Sequence, residues 1–173
     1  VGRLPWLAGR LSFCAENFQN AGRQHVEEKK GEFTVTIPES VRKLIASAPL
    51  AHLTTLNADG SPQVTVVWVG IENDEFVCGH MSAYQKVKNI QKDPRVVLSM
   101  LGHGKNAFGL QEYLVVYGNA YLTEGGAADL LQRLAHVYLG PDVEFPPESV
   151  RNQTGYITHI VPQRFGGNGP WNG

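Results

Sequence analysis

The chain has 173 residues, of which 42% are hydrophobic and 18% charged, with a formal net charge of −1. Such a chain is one globular domain with a core of its own, not a disordered polymer, and its charge offers no reason to expect nucleic acid or an anionic membrane as partner. No apolar run approaches the roughly 20 residues that span a bilayer, and two cysteines, Cys14 and Cys78, suggest neither a disulfide framework nor a thiolate metal site, so a cytoplasmic setting fits best.

Residues 1–33 hold three arginines and the run Glu27-Glu28-Lys29-Lys30 without a helix or strand period. Pro5 and Arg10 interrupt the apolar patches between Leu4 and Leu11, which leaves no secretory apolar region of about 7–15 residues. The segment reads as an N-terminal arm ahead of a single folded domain over 34–173. Ile37-Pro38-Glu39 opens a helix that runs through Val41, Leu44 and Ile45 to about Ser47, and Pro49 ends it. Ala51 to Leu56 reads as a strand, followed by the hairpin signal Asn57-Ala58-Asp59-Gly60. Gln63 to Ile71, rich in valine, reads as one buried strand, and Glu72-Asn73-Asp74 turns the chain into another from Glu75 to Gly79.

Ser82-Ala83-Tyr84-Gln85 has the form of a capping box, and helical spacing follows through Val87 and Ile90 until Asp93-Pro94. Arg95 to Leu101 is strand-like, Gly102, Gly104 and Gly109 mark a loop, and Glu112 to Thr123 is a long strand. After Gly125-Gly126, an amphipathic helix places Leu130, Leu131, Leu134, Val137 and Tyr138 on one face. A proline-rich loop, Pro141 to Pro147, leads to a last strand from Tyr156 to Val161. The tail from Gly166 reads as irregular. Six mostly antiparallel strands with few helices predict a small closed barrel, mainly β, rather than a doubly wound sheet.

The chemistry concentrates between His80 and Val96. A helix start offers free backbone N–H groups and a positive dipole end, Ser82 adds a hydroxyl, and Lys86, four residues on, can reach back to the same place. A lysine supplies a point charge suited to phosphate. The same features also fit an ordinary capped helix with Lys86, Lys88 and Lys92 on a solvated face.

A polar residue, a lysine and a short helix ending in Asp93-Pro94-Arg95-Val96 resemble the pyridoxamine-phosphate-oxidase-like split-barrel superfamily. Leu53-Thr54-Thr55-Leu56, Asp59-Gly60-Ser61-Pro62 and the strand Val64-Thr65-Val66-Val67-Trp68 are similar to it as well. The resemblance covers about residues 37–171. It implies a six-stranded antiparallel split β-barrel working as a homodimer, with the cofactor phosphate held by the segment carrying His80, Met81, Ser82, Lys86 and Asn89. It also implies that the cofactor ring and ribityl chain lie against Val64, Thr65, Val66, Val67 and Trp68. Tyr138-Leu139-Gly140 and Gly169-Pro170-Trp171 resemble the branch that uses the deazaflavin coenzyme F420, in which the tail and Trp171 lie near the pocket and the dimer interface.

The departures bear on the coenzyme. Gln85 precedes Lys86 where the oxidases resemble Ser-Arg-Lys, and basic residues near Thr65 and Gly70 are missing. FMN, with a doubly charged phosphate, would lose partners worth about 1.5–3 kcal/mol each, whereas the deazaflavin has a singly charged phosphodiester. Many deazaflavin relatives have proline at the place of Val66. The function so implied is hydride transfer from reduced F420 to a conjugated small-molecule electron acceptor, a quinone, enone or tetrapyrrole. An FMN-dependent oxidase or reductase, or a non-catalytic haem- or cofactor-binding protein, remains open.

Other chemistries find little support. His25, His52, His80, His103, His136 and His159 show no His-x-x-x-His or cysteine-paired spacing for a metal. No Gly-x-Ser-x-Gly elbow occurs, and the glycines at 102, 104 and 109 do not sit in a strand–turn–helix. No catalytic residue stands out.

Overall fold

The computed structural model describes residues 35–171; the arm expected over 1–33 lies outside them. Helix α1 (Glu39–Ala46) turns Val41, Leu44 and Ile45 inward. Then come β1 (Ala51–Leu56), β2 (Pro62–Val67), β3 (Gly70–Glu72), β4 (Glu75–His80), α2 (Gln85–Ile90), β5 (Arg95–Lys105), β6 (Gln111–Glu124), α3 (Ala127–Tyr138), α4 (Glu148–Arg151) and β7 (Tyr156–Asn168). The strands form one antiparallel sheet in the order β2-β1-β5-β6-β7-β4-β3.

That order explains the barrel. β2 and β3 occupy opposite edges of the sheet, yet only Trp68 and Val69 separate them in sequence. Three Cα steps of about 3.8 Å let the edges lie at most about 11 Å apart, so the sheet has to roll up. No ladder joins β2 to β3; the seam is closed by the chain itself. Alternating side chains fill the interior, including Leu53, Phe76, Leu98, Leu114 and Ile160, all 0% exposed. The buried side of α1 joins this core. β4 is buried on both faces, because Val77 packs under Leu130 and Leu134 of α3 while Phe76 and Cys78 face the barrel. Gly79 permits the close approach of α3 at the end of β4, since a Cβ there would come within 2.8 Å of Leu131 Cγ.

The mainly β, antiparallel architecture with few helices agrees with expectation, but several details differ. The described residues form seven strands, not six, because the run from 63 to 71 breaks at Trp68 and Val69 to serve both edges. Nor is that run buried throughout. Val64 and Val66 are each 56% exposed, since among the described residues β2 pairs only with β1 and nothing covers its outer face. β5 and β6 extend through the expected glycine loop to a turn at 106–109, where Gly109 N–H donates to Asn106 O. β7 continues through Gly166 and Gly167, paired with β6 as far as Asn168. Backbone ladders need no side chains, so glycines that read as loop are held in strand by their partners. Val137 points outward, 54% exposed, off the apolar stripe where sequence placed it. The loop after Gly140 contains the unanticipated α4.

Candidate functional site

A cavity of about 290 Å³ opens where the β2–β3 link, the end of β4, the start of α2 and one face of α3 meet. Trp68, Met81, Leu131 and Phe145 give it an apolar, largely aromatic wall. Trp68 is fixed there by Tyr138, stacked at a centroid distance of 5.3 Å, and by Phe145 at 4.9 Å. His80 and Lys86 supply the polarity, and among the described residues Lys86 is the single formally charged side chain lining the cavity.

Lys86 is half-buried, and burial pulls its ammonium pKa below the ordinary value. It lies 5.0 Å from the Tyr84 ring centroid, and among the described residues it has no carboxylate within ion-pairing distance. A cation that has lost water without gaining an anion is an incomplete arrangement. An anionic ligand group would complete it, so the residues present fit a phosphate-bearing coenzyme with a planar ring.

His80 is 3% exposed, and Thr158 Oγ1 lies 3.0 Å from its Nε2. Burial, with a smaller contribution from the Lys86 charge, pushes its pKa from 6.5 down to about 3. The imidazole is therefore neutral at physiological pH. Because the unfolded chain takes up this proton below about pH 6.5 and the folded one does not, stability falls as pH drops toward 3. Between pH 6.5 and 5 the loss should reach about 2 kcal/mol. Urea midpoints at pH 7 and 5 check this, and His80→Gln should flatten the difference. An equal acid loss in both proteins would contradict it.

Of the residues singled out by sequence, Val66, Val67, Trp68, His80, Met81 and Lys86 line the cavity. The others lie elsewhere. Ser82 is not a cap: α2 begins at Gln85, its N-cap position is Tyr84, and no side chain caps it. Ser82 Oγ instead sits 3.4 Å from Gln153 Oε1. The expected capping box fails because the Tyr84 N–H bonds back to Ser82 O in a tight turn, delaying the helix. With six residues, α2 has little macrodipole to offer an anion.

Asn89 is 2% exposed and spent on structure. Its amide donates to Thr55 Oγ1 and Asn57 Oδ1, each at 3.0 Å, and accepts from Gln85 Nε2 at 2.8 Å. It thereby ties α2, and with it Lys86, to the β1–β2 hairpin. Val64 is on the exposed side of β2. Thr65 Oγ1 is a buried hydroxyl with no partner. Trp171 is 4% exposed within the barrel core, its Nε1 donating to Tyr113 O at 2.7 Å. It packs where the tail doubles back along β6, away from the cavity. Sequence reasoning passed over Leu131, Phe145 and Tyr84, which also line the cavity. Phe145, followed by two prolines in a loop, was the one with a visible signal: a large apolar side chain outside any periodic element.

A second hollow of about 380 Å³, bordered by Ile90, Tyr121 and Tyr156, has no cation on its lining. Among the described residues no cluster of three His, Cys, Asp or Glu side chains is placed to hold a metal. His159 is instead 3.2 Å from Glu75, and His103 is 2.8 Å from Ser47 Oγ. Nor is any described helix long and apolar enough to cross a membrane.

The family model for pyridoxamine 5'-phosphate oxidase matches residues 37–158. The chain belongs to the pyridoxamine 5'-phosphate oxidase family. Within that family's fold, it superposes on an F420 reductase with a TM-score of 0.61 and 26% identity, over 75% of this chain and 98% of the other. A conserved hypothetical protein from Mycobacterium tuberculosis shares the fold at a TM-score of 0.59 and 20% identity, covering 79% of this chain and 87% of that one. So does the haem storage protein HutZ from Vibrio cholerae, at 0.56 and 14%, covering 78% and 96%. No curated protein sequence matches the chain.

Proposed function

We propose that the protein is an F420-dependent reductase that binds the coenzyme in the cavity beside Trp68 and works as a homodimer. The observation that carries the reading is the half-buried Lys86, the single charged side chain among the described residues that line an aromatic-walled cavity. One ammonium group matches a singly charged phosphodiester. A doubly charged flavin phosphate would lack a further partner worth about 1.5–3 kcal/mol. The likeness to an F420 reductase supports the same choice.

When bound, the reduced deazaflavin supplies a hydride for a conjugated acceptor such as a quinone, enone or tetrapyrrole. The chain's own part is placement. Lys86 anchors the anionic tail, Trp68 and Met81 offer a flat apolar face, and Leu131 and Phe145 keep water from the ring. His80, neutral and held by Thr158, offers a hydrogen-bonding edge without adding charge. The cavity is near the lower end of the usual range of about 300–1,000 Å³ for ligand sites. Its rim carries exposed Leu50, Val66 and Tyr84. A second copy laid over that rim would deepen the cavity and cover the valines of β2.

Titration of the purified protein with oxidised and reduced F420 and with FMN tests the assignment, with sedimentation run alongside. Micromolar binding of F420 by a dimer is the expected result. Micromolar FMN binding without F420 binding would overturn the coenzyme assignment, and a monomer at those concentrations would remove the dimer. A haem Soret band that disappears in the His80→Gln variant would favour a haem-binding protein instead.

A further inference from the structure

The last rung of the β1–β2 ladder pairs Ala51 with Val67. Just beyond it the strands part: Pro49 precedes β1, and Val69 follows β2 on its way to the other edge of the sheet. Both residues are buried. The hydroxyl of Tyr138, the last residue of α3, fills this gap. It donates to Pro49 O at 2.9 Å, with Val69 O also near at 3.2 Å, and it accepts from Val69 N–H at 3.1 Å. Its ring meanwhile stacks on Trp68, at an interplanar angle of 19°.

We propose that Tyr138 is a positioning residue for the cavity: its hydroxyl clamps the open end of the β1–β2 hairpin and so sets the plane of Trp68 against which a coenzyme ring rests. The reason lies in the topology. Among the described residues β2 is an edge strand that hangs on β1 alone, so between its end rungs, Ala51–Val67 and Gly70–Val77, the Trp68-Val69 link is held by this side chain and the packing around it. Removing the hydroxyl leaves a buried N–H and a buried carbonyl to find other partners, and the cheapest remedy is for the link to move toward water. Burial raises the phenol pKa, which keeps the proton in place for the donated bond. The coenzyme part of this assignment rests on the function proposed above; the clamp does not.

Tyr138→Phe keeps the ring and deletes the hydroxyl. In the ligand-free variant, amide hydrogen exchange at Val69 should quicken about tenfold, the loss of roughly one hydrogen bond, while the β5–β6 rung Val97–Tyr117 keeps its rate. Affinity for reduced F420 should weaken by about tenfold as well. Val41→Ala serves as a purely structural comparison, because it opens the core beneath α1 and should lower stability without altering affinity below its melting temperature. Unchanged Val69 exchange overturns the clamp. So does exchange at the free-peptide rate in the wild-type chain, which needs no variant. Faster exchange with unaltered affinity overturns the positioning role. If the wild type binds neither F420 nor FMN, the coenzyme reading falls, and the exchange rates alone judge the clamp.

Discussion

Replacing Lys86 with alanine should weaken binding of reduced F420 by about 1.5–3 kcal/mol, or roughly 10- to 150-fold, with the fold intact. The size follows from where the ammonium group sits. It is half-buried beside the Tyr84 ring, on a cavity that Met81 and Trp68 also line, and has no carboxylate partner among the described residues. Its interaction with a phosphodiester would therefore be less screened than that of a surface lysine. Stability should not suffer, because α2 is held by Val87 and Ile90 in the core and by the Asn89 amide on the hairpin, none of which depends on the ammonium group. Removing a partly desolvated, unpaired cation should leave the urea midpoint unchanged or slightly raised. Isothermal titration of wild type and variant at two salt concentrations reads both parts. Equal affinities would take Lys86 out of the site.

The largest effect on stability should come from Phe76→Ala, with a loss of about 3–5 kcal/mol. Phe76 is 0% exposed near the start of β4, where its strand pairs with β3 on one side and β7 on the other. Its ring meets Phe165 edge-on, 6.4 Å between centroids. The barrel cannot collapse onto the space left by the ring, since β3 is tied to β2 through two residues and the surrounding strands are fixed by their ladders. A domain has only about 5–15 kcal/mol in hand, so the variant should unfold at a much lower urea concentration. Phe108→Ala, at a turn position that is 88% exposed, should change stability by less than about 0.5 kcal/mol. Similar midpoints for the two variants would contradict this account of the core.

These outcomes also separate what residue order reveals from what folding adds. The strands β1, β4, β5 and β6, the helices α1 and α3, and the hairpin at Asn57–Gly60 were all visible as local patterns. Period, proline and glycine placement, and turn chemistry act over a few residues and do not need a partner. The residues of the cavity that sequence found are the ones on short contiguous stretches, Val66 to Trp68 and His80 to Lys86. Leu131 and Phe145 come from a helix and a loop at least 45 positions farther on, and nothing local joins them to Trp68.

Where sequence misled, a distant partner had changed the local outcome. Asn89 reads as a ligand-facing polar residue until the hairpin is seen to satisfy its amide, and Ser82 reads as a cap until the chain turns on its carbonyl. Gly166 and Gly167 read as a loose tail, yet β6 supplies the rungs that keep them extended. Trp171 folds back into the core instead of reaching the cavity. In each case the composition set what was possible nearby, while burial and hydrogen-bond pairing across the barrel settled which possibility held. The apolar periodicity of a segment is written in its own residues; whether its polar groups are free to meet a ligand depends on neighbours contributed from elsewhere in the chain, because a buried donor or acceptor must be paired by whatever the fold brings within about 3 Å.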